Sequence, residues 1–319
     1  MYITPPMVRW YLGAAVTLLT LATLAYAGIC SYMALTLTRP ERQPFRFSPE
    51  QYGLSYESVS FPSRVDAIQL DGWLLGLPQA GAPARRPVVA VHGKGVDRTR
   101  EAHDHMLEIA GHLVRHGYPV LLFDLRGSGR SGGERFTLGA QEVRDVGGAI
   151  DFLYSRGLTN DGVDLLGYSM GAATAMMLAP NEPLVRALVE DSGYAELGDL
   201  LDERVPKESG LPPFFTPGMV FMARTLVGMD MYAIRPVDTM PTLAARGTPL
   251  LVIHGDADQS VPSSHARRIM AAYGPRAESL FLPSAGHVRS YEVDPDTYVT
   301  RLTAFFDHAE PGQELAATH

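Results

Sequence analysis

"VDLLGYSMGAATA", Val163 to Ala175, decides how this chain folds. It holds Gly-x-Ser-x-Gly as Gly167, Tyr168, Ser169, Met170 and Gly171, a pattern short enough to recur by chance in a glycine-rich chain. Its surroundings supply the specificity. VDLLGY is a continuous apolar run of the kind that forms a buried strand, and AATAMML after it is good helix-forming sequence. Strand, tight turn, helix is the setting in which such a serine is a nucleophile: glycines at both flanks let the backbone fold sharply, and the helix N-terminus offers N–H groups to an oxyanion. A plain turn serine would need none of this context.

A serine alone is a weak nucleophile, so a base and an orienting carboxylate are expected further on, in the order Ser, Asp/Glu, His. "LLVIHGDADQSVP" places Asp256 and Asp258 just after a buried run, and "LFLPSAGHVRSY" places His287 just after the next. Spacing alone leaves the acid open between Asp256 and Asp258, with Asp191, closing an earlier strand, as a third candidate. The oxyanion needs two backbone donors. One is the N–H of Met170; the other is the N–H of Lys94 in "VVAVHGKGVD", where Gly93 and Gly95 allow close backbone approach. The Lys94 side chain reads equally as a solvated lysine or as a contact for an anionic group.

Outward from this core the chain alternates short apolar runs with amphipathic stretches. A hairpin is expected from Tyr56–Phe61 and Ala67–Leu77. There follow strand RPVVAVHG, helix TREAHDHMLEIAGHLVRHG ending at Gly117, strand YPVLLFD, a helix over Leu138–Ser155, strand VDLLGY, a helix from Met170, and strand VRALVE. After a long interruption come strand TPLLVIHG, helix SSHARRIMAAYG, strand ESLFLP and a helix over Pro295–Ala309. Continuous apolar strands alternating with helices predict an α/β fold with a mostly parallel, doubly wound sheet covered on both faces. The more than fifty residues from Asp191 to Gly247 break the alternation and predict an inserted cap, about 195–240. The expected organisation is a transmembrane anchor over 10–38, a linker over 39–54, a catalytic domain over 55–310 carrying the cap, and a tail over 311–319.

From Ser55 to Ala309 the chain resembles the α/β-hydrolases, and within them membrane-anchored serine hydrolases of the lysophospholipase-like or serine-aminopeptidase-like kind. The resemblance rests on HGKG (His92–Gly95), FDLRGSGRSGG (Phe123–Gly133), GYSMG, HGDADQSVP (His254–Pro262) and AGHVRSYEVDPDTY (Ala285–Tyr298), in that order. It implies the α/β-hydrolase fold, with Asp258 as the acid because the family carboxylate is the fourth residue after the histidine of HGDAD. It also implies hydrolysis of an ester, thioester or amide through an acyl-enzyme, with no cofactor and no metal. The substrate expected first is a hydrophobic carboxylic ester, such as a lipid or lysophospholipid. An aminopeptidase of the same fold comes second and would need a cap carboxylate to hold the substrate amine, for which Asp202, Glu203 and Glu208 are candidates. A reading from another class is a non-catalytic, membrane-anchored binding protein; it would show a missing member of the serine, acid and histidine set, and none is missing.

Composition narrows the partners. A net charge of −8 with no run of Lys or Arg excludes a nucleic-acid-binding stripe. One cysteine, Cys30, forms no intrachain disulfide and no cysteine-based zinc site. No charged residue occurs from Trp10 to Thr38, which is long enough for a membrane helix of ~20 residues. Ala25-Tyr26-Ala27 matches a signal-peptide cleavage pattern, yet the apolar run continues through Ile29, Met33, Leu35 and Leu37, which favours a retained anchor. Arg39, Arg42 and Arg46 after the span, against Arg9 before it, lean toward a cytoplasmic body without deciding the side.

Three other signals are weaker. Gly127, Gly129 and Gly132 spell a dinucleotide-binding fingerprint, but they sit in a loop and do not open into a helix. His105, His112 and His116 share one side of a helix, where a polar outer face explains them better than a metal site. Phe214, Phe215, Met219, Phe221 and Met222 make the cap unusually apolar, which predicts a substrate pocket, packing on the body, or contact with a bilayer.

Overall fold

The structure, a computed structural model, describes residues 5–39, 42–77 and 85–309. The expected tail, 311–319, lies outside the described residues. In chain order the helices and strands are α1 (Pro5–Leu37), β1 (Tyr56–Pro62), β2 (Gln69–Leu75), β3 (Val88–Val91), α2 (Glu101–Asp104), α3 (Met106–Arg115), β4 (Val120–Phe123) and α4 (Glu142–Ser155). They continue with β5 (Val163–Tyr168), α5 (Met170–Leu178), β6 (Val185–Asp191), α6 (Leu197–Ser209), α7 (Phe215–Leu226), α8 (Met240–Ala245), β7 (Leu250–Gly255), α9 (Ser264–Tyr273), β8 (Glu278–Leu282), α10 (Ser290–Val293) and α11 (Pro295–His308).

The chain divides into two compact units, one of Arg39–Leu197 with Ile234–His319, the other of the N-terminal segment to Thr38 with Gly198–Ala233. In the larger unit eight strands form one sheet in the order β1-β2-β4-β3-β5-β6-β7-β8. β1, β2 and β4 pair antiparallel, and every pair from β4 through β3 to β8 is parallel. Strands β3 to β7 are apolar on both faces because both are covered. Ala90, Leu122, Leu166, Tyr168, Val189 and Ile253 face a core shared with Leu107 and Leu113 of α3 and Phe305 and Phe306 of α11. The alternate residues Val89, Leu121, Leu165 and Leu188 are equally buried, and α4 and α5 pack on β1, β3, β5 and β6.

One expected helix is broken. The stretch from Thr99 to Gly117 reads as a single helix, but Ala102, His103 and Asp104 take positive φ (50°, 54° and 73°) and the chain turns before α3 starts. The buried Glu101 carboxylate accepts the N–H groups of Ala102 and Gly93, which holds this turn against the loop after β3. The segment read as a linker is docked along residues 42–54. Phe45 lies on Trp73 and under the guanidinium of buried Arg98, while Arg42 donates to the carbonyls of Ser131 and Gly133. The glycine fingerprint is part of the same structure: its loop folds around buried Asp124, which accepts the N–H of Arg98 and of Arg130. A Cβ at Gly129 would run into the Asp124 carboxylate, and the next helix, α4, begins only at Glu142.

The smaller unit contains α1, most of α6 and all of α7. α7 packs on α1. The Tyr26 hydroxyl donates to the Phe214 carbonyl at 2.8 Å, and the Tyr26 ring lies 5.9 Å from Phe214 and 5.1 Å from Phe215.

Candidate active site

Ser169 occupies the turn between β5 and α5 with φ 50° and ψ −114°. Both flanking glycines are required by space. A Cβ at Gly171 would run into the Val91 carbonyl, and one at Gly167 would come within 2.6 Å of the Ala172 Cα. The turn is pinned by the Ser169 N–H donating to the Asp191 carbonyl at 2.8 Å. No side chain caps α5, whose first turn begins at Met170 beside Ser169, and uncapped N–H groups at a helix N-terminus favour an anion.

β7 and β8 run parallel and adjacent, and their following loops are joined by the Asp256 N–H to the Leu282 carbonyl and the Ala257 N–H to the Ala285 carbonyl. That pairing brings Asp258 to His287. His287 Nδ1 lies 2.7 Å from Asp258 Oδ2, and His287 Nε2 lies 2.9 Å from Ser169 Oγ. Asp258 is buried and its other oxygen accepts the N–H groups of Ser260 and Val261, both at 2.8 Å, which fixes the carboxylate. An ionised carboxylate only accepts, so the imidazole carries its proton on Nδ1, leaving Nε2 to accept from the serine hydroxyl. Ser169 and His287 are half-exposed and therefore reachable. Asp256 points elsewhere, pairing at the surface with Arg267 at 3.0 Å.

The loop after β3 passes close to the serine: a Cβ on Gly93 would stand 3.2 Å from the Ser169 Cβ. His92 aligns this loop. Its Nε2 accepts the Leu125 N–H at 2.9 Å, so its Nδ1 donates to the Gly93 carbonyl at 2.7 Å. With that carbonyl held toward His92, the trans peptide turns the Lys94 N–H the opposite way.

A second layer holds the histidine loop. The Val288 N–H donates to Ser192 Oγ at 3.1 Å, and Ser192 donates to Asp191 at 2.9 Å. The other Asp191 oxygen accepts from the Tyr298 hydroxyl at 3.0 Å. Asp191, weighed as an acid from its place at a strand end, is thus part of the support and not the partner of His287. Burial pushes its carboxyl up to about 7, and burial pushes neighbouring Glu190 up to about 8. Burial also lowers His254, keeping it neutral as its Nε2 donates to the Val261 carbonyl at 2.8 Å. His103, on the broken helix, reaches the His287 carbonyl at 2.9 Å. None of Ser192, Tyr298, Glu101 or His103 stood out from sequence. A serine following a strand-end acid, as Ser192 follows Asp191, is too common a pattern to single out.

The remaining candidates are dispersed. His105 pairs with Glu108 at 3.0 Å and packs on Tyr291, as does His112, while His116 bonds to the His112 carbonyl. In the smaller unit Met219 is buried, Phe215 and Met222 are half-buried, and Phe214 and Phe221 are exposed.

Comparison with known proteins identifies the family and the fold. A family profile described as the alpha/beta hydrolase family matches residues 88–301. Among curated relatives, the uncharacterized protein YfhR of Escherichia coli is 24% identical over 79% of this chain and 80% of its own length. The uncharacterized protein Rv2307c of Mycobacterium tuberculosis is 28% identical over 70% and 69%. Among solved structures, the esterase Pf2001 of Pyrococcus furiosus superposes with a TM-score of 0.70 at 23% identity, covering 85% of this chain and 98% of that one. The hydrolase GrgF from Penicillium follows at 0.62 and 18%, covering 80% and 99%. With the profile spanning two thirds of its length, the chain belongs to the alpha/beta hydrolase family.

Proposed function

We propose that this protein is a serine hydrolase that cleaves carboxylic esters of hydrophobic acyl groups through an acyl-enzyme. The observation that carries the reading is the continuous hydrogen-bonded chain Ser169–His287–Asp258, at 2.9 and 2.7 Å. In this mechanism Ser169 Oγ attacks the acyl carbonyl as His287 Nε2 takes its proton, and Asp258 steadies the imidazolium. The N–H groups of Met170 and Lys94 stabilise the oxyanion, a contribution of ~3 kcal/mol for each donor. His287 then returns the proton to the leaving alcohol, and water activated by the same nitrogen releases the acid.

The ester preference draws support from the cap. A site for a substrate amine would need a carboxylate held for it, and the three candidates are each engaged: Asp202 with the Tyr232 hydroxyl, Glu203 with Lys207, and Glu208 with Arg204. We also propose that α1 is a retained membrane anchor. Arg9–Leu37 is a 29-residue helix long and apolar enough to cross a bilayer, and cleavage after Ala27 would remove Tyr26, which binds α7.

A chain-length series of acyl esters, assayed beside a panel of free-amino peptides with the full chain in membranes, tests the substrate class. Turnover rising with acyl length and absent on peptides is expected; peptide cleavage with no ester turnover would contradict it.

A further inference from the structure

α1 changes character along its length. From Tyr11 to Ala25 it is exposed on every side, and from Tyr26 one face is covered, with Cys30, Ala34 and Thr38 buried at successive turns. The start of α7 is level with the beginning of that covered part. Cys30 Sγ reaches the Phe215 carbonyl at 3.7 Å, and a Cβ on Gly218 would lie 2.6 Å from the same sulfur. Tyr11–Ala25 stays exposed, so α7 packs on the covered part of α1 that begins at Tyr26, and the tip joining α6 to α7 ends at the Tyr26 level.

Aromatic residues mark where a bilayer would begin and end. Trp10 and Tyr11 lie at one end of the span and Tyr32 at the other, all exposed. Twenty-two residues of helix separate Trp10 from Tyr32, about 33 Å at 1.5 Å per residue, against a hydrocarbon core of about 30 Å. Such girdles are what aromatic side chains form at membrane interfaces. Tyr26 is six residues inside Tyr32, so the Phe214–Phe215 level falls about 9 Å inward, the depth at which interfacial elements settle.

The tip has the matching composition. No charged residue occurs from Ser209 to Ala223, and Glu208 and Arg224 bound the stretch on either side. Pro212, Pro213, Phe214, Pro217 and Phe221 are exposed there among the described residues, forming an apolar surface whose Phe214 edge rests on Tyr26. Arg224, 71% exposed, stands where a headgroup layer would receive it.

We propose that the Ser209–Ala223 tip is a second membrane contact, entering the bilayer interface beside α1 with Pro213, Phe214 and Phe221 among the lipids. The inference rests on the reading of α1 as an anchor, takes the bilayer as occupant, and gives Phe214 and Phe221 a lipid-facing role instead of a place in the acyl pocket.

The test uses the full chain in phosphatidylcholine vesicles, with Cys30→Ala and one new cysteine at a time carrying the fluorophore NBD: Leu19→Cys, Pro213→Cys, Phe221→Cys or Asp161→Cys. All four positions are exposed. Lipids spin-labelled near the headgroup and, for Leu19, deep in the acyl chain serve as quenchers. Loss of most fluorescence at Leu19, Pro213 and Phe221, with none at Asp161, is expected. Quenching at Leu19 but not at Pro213 and Phe221 overturns the second contact and leaves the anchor standing. No quenching at Leu19 overturns the anchor and the inference with it. If Pro213 and Phe221 are instead shielded and cross-link copy to copy, the face is a dimer interface and the proposal falls.

Discussion

Asp256 and Asp258 are two residues apart on one loop, and their surroundings separate their roles. Asp258 is buried and accepts three hydrogen bonds, from His287, Ser260 and Val261, whereas Asp256 holds a surface ion pair with Arg267. Asp258→Asn should lower kcat by about 10³–10⁴-fold through the wrong imidazole tautomer. Asp256→Asn should leave it within about twofold, because exposed ion pairs contribute little; the opposite ranking in steady-state assays would reassign the acid. Ser192 acts through position alone, anchoring the loop that carries His287. Ser192→Ala should reduce kcat about tenfold with KM unchanged, as a misplaced base does; a change confined to KM or to thermal stability would deny it that role. The serine, the histidine and the pair of candidate acids were legible because strand ends confine them. Ser192, His103 and Glu101 were not, because their roles arise from contacts between residues far apart in sequence.

Helices and strands were legible where burial is two-sided, as in β3 to β7, since an apolar run of that length has few alternatives. The single helix expected over Thr99–Gly117 shows the limit. Its periodicity is genuine in α3, but Glu101 binds backbone N–H groups across the loop and imposes a turn that pattern alone does not reveal. The packing of α7 on α1 was equally hidden. It turns on Gly218, where a larger side chain meets Tyr26 and Cys30. On an open helix face Gly→Ala would stabilise by about 1 kcal/mol. Here Gly218→Leu should cost about 1–3 kcal/mol by overpacking, read as a lower unfolding temperature in detergent; a gain would mean that the two helices do not pack. The same contacts predict that the membrane-bound protein keeps its N-terminus. Intact-mass measurement should find residues preceding Ala27, and a mature chain starting at Gly28 would contradict the anchor.

Across the whole molecule, the buried pair Glu190 and Asp191 links the core to pH. Their folded values of about 8 and about 7 lie above their ordinary 4.5 and 3.8. The native state therefore holds extra protons between those limits, and its stabilisation, complete below about pH 4, is lost as pH rises through 7 to 8. One Glu190 oxygen accepts the Gly193 N–H and the other has no hydrogen-bond partner among the described residues. Glu190→Gln should accordingly raise the unfolding temperature relative to wild type more at about pH 8.5 than at about pH 5. An equal difference at both would show that Glu190 ionises normally.

The central claim is that Ser169 is a nucleophile activated by His287. A fluorophosphonate probe applied to the full chain in membranes, followed by mass mapping of the adduct, tests it most directly. One adduct on Ser169 is predicted, absent in Ser169→Ala and strongly slowed in His287→Ala. A folded wild type that takes no label, or a Ser169→Ala variant labelled to the same extent, would contradict it.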